Sequence, residues 1–191
     1  MTKRIDRAVF LDRDGTLIEE VGYLDRADRV VFFPWTISAV RSLNHAGFTV
    51  VMVSNQSGLA RGFFTESVVD DVHRRIADML AAGGAYIDAY YYCPHHPDGK
   101  VPGLGVVCEC RKPARGLVDR AVTEFGVNPE RSFVIGDRWV DVGLARAIGA
   151  RGVLVRTGYG DLEERTPPPG LKADAVVDNL IAASAWILNE M

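Results

Sequence analysis

Ala8-Val9-Phe10-Leu11-Asp12-Arg13-Asp14-Gly15-Thr16 is the stretch that decides the fold. Its first four residues form an unbroken apolar run, the pattern of a strand buried on both faces. Asp12 and Asp14 follow with one residue between them, so in extended geometry both carboxylates lie on the same side. Gly15 then lets the backbone turn sharply. Two carboxylates this close repel unless a cation or a shared proton relieves them, and Asp137 offers a third oxygen donor for a site suited to Mg²⁺.

Outward from this stretch, apolar runs alternate with helical patterns. Phe48-Thr49-Val50-Val51-Met52-Val53 reads as a second strand, with Ile37, Val40 and Leu43 marking a helix before it that Gly47 closes. Thr65 is placed to cap a helix carrying Val68, Val72, Ile76 and Met79 on one face. Tyr86–Tyr92 reads as a third strand, Leu117–Phe125 as a helix and Ser132–Ile135 as a fourth strand. A short helix with Val142, Leu144, Ala145 and Ile148 leads to a fifth strand, Val153-Leu154-Val155. Thr166-Pro167-Pro168-Pro169-Gly170 reads as a stiff surface loop before a last strand near Ala173–Val177 and a C-terminal helix.

This order predicts an α/β fold, a doubly wound and mostly parallel sheet, organised as one domain over residues 1–191. Ligands in such sheets bind beyond the carboxyl ends of the strands. Asp12 and Asp14, Ser54-Asn55-Gln56, Arg111-Lys112 and Asp137 all fall at such ends or in loops, so four clusters converge on one edge. A single Asp-Gly cluster is more often only a turn. Four in order are not explained by turn chemistry.

Composition narrows the partners. With 191 residues and 48% apolar composition, the chain can bury one sizeable core. A net charge of -3 gives no general footprint for nucleic acid, which points to small-molecule partners. Met1-Thr2-Lys3-Arg4-Ile5-Asp6-Arg7 has no secretory pattern, and no stretch is apolar for long enough to cross a bilayer, so a cytoplasmic monomer is expected.

Cys93-Pro94-His95-His96-Pro97 and Cys108-Glu109-Cys110 supply three thiols and at least one imidazole around a loop rich in Pro and Gly. This is enough for a closed tetrahedral Zn²⁺ site that would staple the loop. Neither half is a Cys-x-x-Cys knuckle, so buried free cysteines or redox thiols stand as alternatives.

Asp12–Thr16, Ser54, Lys112 and Gly136-Asp137 together resemble the four motifs of the haloacid dehalogenase superfamily, over most of the chain. The resemblance implies that Asp12 attacks phosphorus to give an aspartyl-phosphate, while Asp14 acts as general acid and base. It further implies that Ser54 and Lys112 hold the phosphoryl oxygens, and that Asp12, the backbone carbonyl of Asp14 and the carboxylate of Asp137 hold Mg²⁺. The segment leading into Arg111-Lys112-Pro113 resembles the superfamily's zinc-loop group, which contains heptose bisphosphate and histidinol phosphatases. That likeness assigns structural zinc to Cys93, His95, Cys108 and Cys110 in an inserted loop, residues 93–110, and implies no large cap domain.

A sugar bisphosphate substrate is expected from the same resemblance, with histidinol phosphate as the alternative metabolite and a catalytically idle binding protein as the alternative class. Glu20-Val21-Gly22-Tyr23 would line the sugar site, and Asn55, Gln56, Ser57 and Arg138 would add contacts. Arg111 presents a planar fork suited to a second phosphate.

Overall fold

The structure is a computed structural model that describes residues 6–190, so Met1–Ile5 of the N-terminal reading lie outside the described residues. Six strands form one parallel sheet: β1 (Ala8–Leu11), β2 (Thr49–Asn55), β3 (Ala89–Cys93), β4 (Phe133–Gly136), β5 (Arg151–Val155) and β6 (Ala175–Val177). Their order across the sheet is β3-β2-β1-β4-β5-β6. The chain first winds outward from β1 to β3 and then returns to β4 on the other side of β1. Adjacent strands β1 and β4 therefore open a crevice where the winding reverses, the place where such sheets bind ligands.

Among the described residues six α-helices lie between these strands, α1 (Thr36–His45), α2 (Ser57–Arg61), α3 (Glu66–Ala82), α4 (Gly116–Phe125), α5 (Trp139–Ile148) and α6 (Gly160–Glu164), and α7 (Leu180–Asn189) follows β6. Strand alternation divides the core in two. Val9 and Leu11 of β1, with Val50, Met52 and Ile135, face α1, α3 and α7 through Val40, Leu43, Ile76, Leu80 and Ile187. Ala8 and Phe10, with Val51, Val53 and Val134, face α4 and α5 through Leu117, Val118, Leu144 and Ile148. Both faces of the sheet are thus covered, which is why β1 reads as a continuous apolar run instead of an alternating one.

Three local expectations shift. The third strand begins at Ala89, not Tyr86, because the Asp88 carboxylate accepts the Val50 N–H at 2.8 Å and carries the chain onto the sheet. Thr65 does occupy the N-cap of α3, but its hydroxyl pairs with that of Ser67 at 2.8 Å and makes no backbone cap bond. The buried face of α3 runs through Val69, Val72, His73, Ile76 and Leu80, so it is rotated from the expected stripe and takes in a histidine. Thr166–Gly170 is exposed, as a surface loop requires. No helix among the described residues is long and apolar enough to cross a membrane.

Candidate active site

Asp12 leaves the end of β1 with its N–H donating to Ile135 O at 2.9 Å, which ties the carboxylate-bearing turn to the neighbouring strand. Gly15 adopts φ +74°, and a Cβ there would lie 2.2 Å from Asp137 Oδ2. Gly158, at φ +58°, approaches the same oxygen from the β5 side, where a Cβ would also lie at 2.2 Å. The two glycines let two backbone turns close on Asp137. Thr157 Oγ1 joins those turns by donating to Gly15 O at 2.6 Å.

Lys112 reaches the same point from the far side of the cysteine-rich segment. Its buried ammonium lies 2.7 Å from Asp12 Oδ1, 2.6 Å from Asp141 Oδ1 and 2.8 Å from Val53 O. Asp12, Asp137 and Asp141 form a buried triad of carboxylates whose oxygens lie within 4.8 Å of one another. Asp137 Oδ2 accepts the Tyr159 N–H at 2.8 Å, but Oδ1 is buried without a hydrogen-bond partner.

The electrostatics of this cluster call for a further cation. Burial pushes the Asp12 carboxyl up to about 7 although the Lys112 ammonium pulls it down. Burial, reinforced by the Asp12 charge, pushes Asp137 up to about 8. Burial alone would lower Lys112, but Asp12 and Asp141 together raise it above its ordinary value, so it stays charged. One ammonium cannot balance three carboxylates in a desolvated site. The orphaned Asp137 Oδ1 and the hard oxygen donors fit Mg²⁺.

Asp14 is directed elsewhere. The guanidinium of buried Arg13 donates to its carboxylate at 3.0–3.1 Å, and Gln56 Nε2 donates to Asp14 Oδ2 at 3.0 Å. Gln56 also donates to Ser54 Oγ at 2.7 Å and accepts from Arg13 Nη2 at 2.9 Å. The Asp14 side chain is therefore not a member of the carboxylate triad, a place that Asp141 takes. Sequence reading missed Asp141 and Arg13. The signal for Asp141 was its place three residues after Arg138, the N3 position of the helix that opens at the strand end, where its carboxylate accepts the Arg138 N–H.

A cleft of about 400 Å³ opens over these groups. It is lined by Asp12, Asp14, Glu20, Gly22, Tyr23, Ser54, Asn55, Gln56, Ser57, Arg111, Lys112, Asp137 and Arg138, together with Leu24, Phe64, Val140, Asp141 and Tyr159. Glu20, its carboxyl pushed up by burial, accepts the Gly22 N–H at 2.6 Å and so folds its loop over the cleft. The Arg138 guanidinium stacks 3.9 Å from the centre of the Tyr159 ring, a second aromatic wall that the sequence did not announce. Val21 departs from expectation. It does not line the cleft but packs, partly buried, against the core, while the bend at Gly22, φ +76°, turns the chain so that Tyr23 reaches the cleft.

The cysteine segment closes on itself. Cys93, His95, Cys108 and Cys110 place one donor atom each within 4.8 Å of one another. Cys93 and Cys108 sulfurs lie 3.5 Å apart, Cys108 and Cys110 3.3 Å, and His95 Nδ1 is 3.3 Å from the Cys110 sulfur. These spacings are too long for a disulfide and close to the roughly 3.5–3.8 Å edges of a tetrahedron built on Zn–S near 2.3 Å and Zn–N near 2.0 Å. His96 turns away, 3.4 Å from Arg61 Nη2 and accepting the Asp98 N–H at 3.1 Å. The donor set fits zinc and leaves no position open to water.

Fold and site together define a hydrolase of the haloacid dehalogenase type. Family models agree: one described as HAD-hydrolase-like matches residues 109–183, and Polynucleotide kinase 3 phosphatase matches residues 7–142. A D-glycero-D-manno-heptose-1,7-bisphosphate 7-phosphatase of Thermosynechococcus vestitus is 39% identical, covering 96% of each chain. D-glycero-beta-D-manno-heptose-1,7-bisphosphate 7-phosphatase of Yersinia pestis is 39% identical over 96% of this chain and 90% of its own. The crystal structure of D,D-heptose 1,7-bisphosphate phosphatase from B. bronchiseptica, complexed with magnesium and phosphate, superimposes with TM-score 0.85 at 31% identity, covering 97% of this chain and 99% of that one. The chain belongs to the heptose-1,7-bisphosphate 7-phosphatase family of HAD-like phosphoric monoester hydrolases.

Proposed function

We propose that this chain removes the 7-phosphate of D-glycero-D-manno-heptose 1,7-bisphosphate, with Asp12 as nucleophile and Mg²⁺ as the catalytic metal. The observation that carries the chemistry is the Asp12 carboxylate at the end of β1, held by Lys112 at 2.7 Å and open to the cleft. The relatives' shared name supplies the substrate.

In this reading Asp12 attacks phosphorus, the ester P–O bond breaks, and the departing sugar oxygen takes the proton of Asp14. Water then attacks the aspartyl-phosphate, Asp14 accepts its proton, and the P–O bond to Asp12 breaks to release inorganic phosphate and the free carboxylate. Lys112 and Ser54 hold the non-bridging oxygens throughout, which supplies the charge stabilisation that phosphoryl transfer chiefly needs. Asp12, Asp137 and the Asp14 backbone carbonyl would hold Mg²⁺, with Asp141 beside them, and the metal would neutralise charge where nucleophile and phosphoryl group meet. Arg111 and Arg138 line the cleft and would donate hydrogen bonds to phosphate oxygens, with Glu20, Tyr23 and Ser57 as contacts for the sugar. Cys93, His95, Cys108 and Cys110 would hold structural Zn²⁺ within a single domain acting as a cytoplasmic monomer on a small molecule.

The test is a kcat/KM profile over both anomers of the heptose bisphosphate, fructose bisphosphate, histidinol phosphate and a 3′-phosphorylated oligonucleotide. A preference for one heptose anomer by at least about tenfold over the other classes is expected, since a site built on specific polar contacts discriminates that strongly. A flat profile would overturn the substrate assignment, and a preference for the oligonucleotide would replace it.

A further inference from the structure

Asn55 and Lys112 stand 57 residues apart in the chain and meet through two reciprocal hydrogen bonds. Asn55 Nδ2 donates to Lys112 O at 3.1 Å, and the Lys112 N–H donates to Asn55 Oδ1 at 3.0 Å. One carboxamide thereby satisfies both backbone groups of the lysine whose side chain reaches Asp12. Backbone groups of a loop residue buried under a cleft need such partners, because no strand or helix supplies them.

The location explains why the bond pair matters. Asn55 is the last residue of β2, and its Cα pairs in register with Cys93, the end of β3. Lys112 lies on an irregular segment that is tied at Cys110 to the cysteine and histidine cluster. Nothing in regular secondary structure sets the height of that segment over β1. Its side chain spans from there to Asp12 Oδ1 and Val53 O, so a displacement of the backbone would be carried to the ammonium. Asn55 borders the cleft, yet its amide oxygen and nitrogen both already have partners on Lys112. A side chain so engaged is poorly placed to recognise a sugar hydroxyl.

We infer that Asn55 is a positioning residue for the phosphatase reaction: it acts through Lys112, fixing the ammonium against the rigid end of β2, and does not serve as a substrate contact. The inference rests on the proposed phosphoryl-transfer reading of the site. It makes a distinction that kinetics can resolve. Lys112 would bear on the phosphoryl group itself, which every ligand of the site shares, whereas a sugar contact would matter only when a sugar is present.

The test compares wild type, Asn55→Ala and Asn55→Asp as Mg²⁺-loaded proteins, using kcat and KM for the heptose bisphosphate and inhibition by orthovanadate, a phosphoryl mimic without sugar. Misplacing a charge-stabilising group by a fraction of an ångström is expected to lower kcat roughly tenfold in Asn55→Ala. Vanadate affinity should fall by a similar factor. Asn55→Asp keeps the acceptor for the Lys112 N–H and should recover part of both losses, and it carries the same comparison if the alanine variant fails to fold. Unchanged vanadate inhibition with a raised KM for the bisphosphate would overturn the inference in favour of a direct sugar contact. Unchanged kcat, KM and vanadate inhibition would overturn it as well. Absence of bisphosphate turnover by the wild type would instead refute the substrate reading, while direct vanadate binding to the same three Mg²⁺-loaded proteins, read by thermal-shift titration, would still decide the role of Asn55.

Discussion

Asp12 and Lys112, separated by 100 residues, meet at 2.7 Å in a buried ion pair at the mouth of the β1–β4 crevice. Asp141 lies 2.6 Å from the same ammonium, so the lysine holds Asp12, the proposed nucleophile, and a neighbouring carboxylate at once. Removing it leaves buried carboxylates uncompensated. Lys112→Met should therefore destabilise the metal-free protein by about 3–5 kcal/mol at neutral pH, the cost of breaking a buried pair by deleting one partner. Urea unfolding with and without Mg²⁺ checks this, with the metal expected to restore part of the loss. A variant as stable as wild type without metal would show that the triad is not charged in the resting protein.

Gly15 and Gly158 lie back to back over Asp137. In Gly15→Ala the new Cβ would meet Asp137 Oδ2 at 2.2 Å in a backbone held at φ +74°. Strain at such a position costs about 1–3 kcal/mol, and displacement of Asp137 should weaken Mg²⁺ activation. Thermal unfolding and the Mg²⁺ dependence of turnover measure the two effects, and an unaltered metal requirement would argue against Asp137 as a ligand.

Gln56 holds Asp14 through Oδ2 and Ser54 through Oγ. Gln56→Met preserves volume but leaves Asp14, the proposed acid, less well aimed at the departing oxygen. The expected result is a loss on the order of tenfold or more in kcat for a sugar phosphate, within the range general acid catalysis contributes. Loss for an aryl phosphate should be smaller, because a phenolate departs with less need of a proton. Equal losses on both would place the effect on Ser54 instead.

His73 is buried against Tyr90 and Tyr92, and burial together with the Arg13 charge lowers it from 6.5 to about 3. The folded protein thus keeps a neutral imidazole where the unfolded chain takes up a proton. Its contribution to stability is complete above about 6.5 and is lost as pH falls toward 3. Acidification also protonates the buried Asp12 and Asp137 carboxyls, which favours the folded state, so the His73 effect is read as a difference. Denaturant unfolding at pH 7 and pH 5 should show wild type losing stability relative to His73→Phe, bounded by about 1.4 kcal/mol per pH unit below the unfolded value. An identical pH dependence in the two proteins would remove His73 from the account.

The cysteine cluster predicts about one zinc per chain in protein purified without chelator, and Cys108→Ser should lose it and lower Tm. Folded, stable protein with far less zinc would contradict the assignment.

Much of this architecture was legible because it rests on patterns that local sequence carries. Ala8–Leu11 and Val153–Val155 are buried on both faces and read as unbroken apolar runs, and the polar residues that end such strands mark the site edge. Helices α2 and α6, at five residues each, are too short to show a period. Tyr86–Asp88 kept the apolar pattern of a strand, but the Asn44 carboxamide takes both backbone groups of Tyr86, and Asp88 reaches β2 through one backbone and one carboxylate bond to Val50. Asp141 and Arg13 escaped for a related reason. Their burial beside Lys112 and Asp14 arises only when β1, β4 and α5 come together, and an acidic or basic residue next to a turn reads as solvated. Asn55 and Gln56 were recognised as site residues, while the partners that engage their amides were set by tertiary contact.

Asp12→Asn tests the central claim most directly. It removes the nucleophile while keeping size and most hydrogen bonding, and it relieves a carboxyl that burial already pushes up to about 7, so the variant should fold as stably as wild type. Phosphate release from the heptose bisphosphate with Mg²⁺ should then be abolished. Turnover within about tenfold of wild type would contradict an aspartyl-phosphate route through Asp12, since covalent catalysis cannot survive loss of its nucleophile.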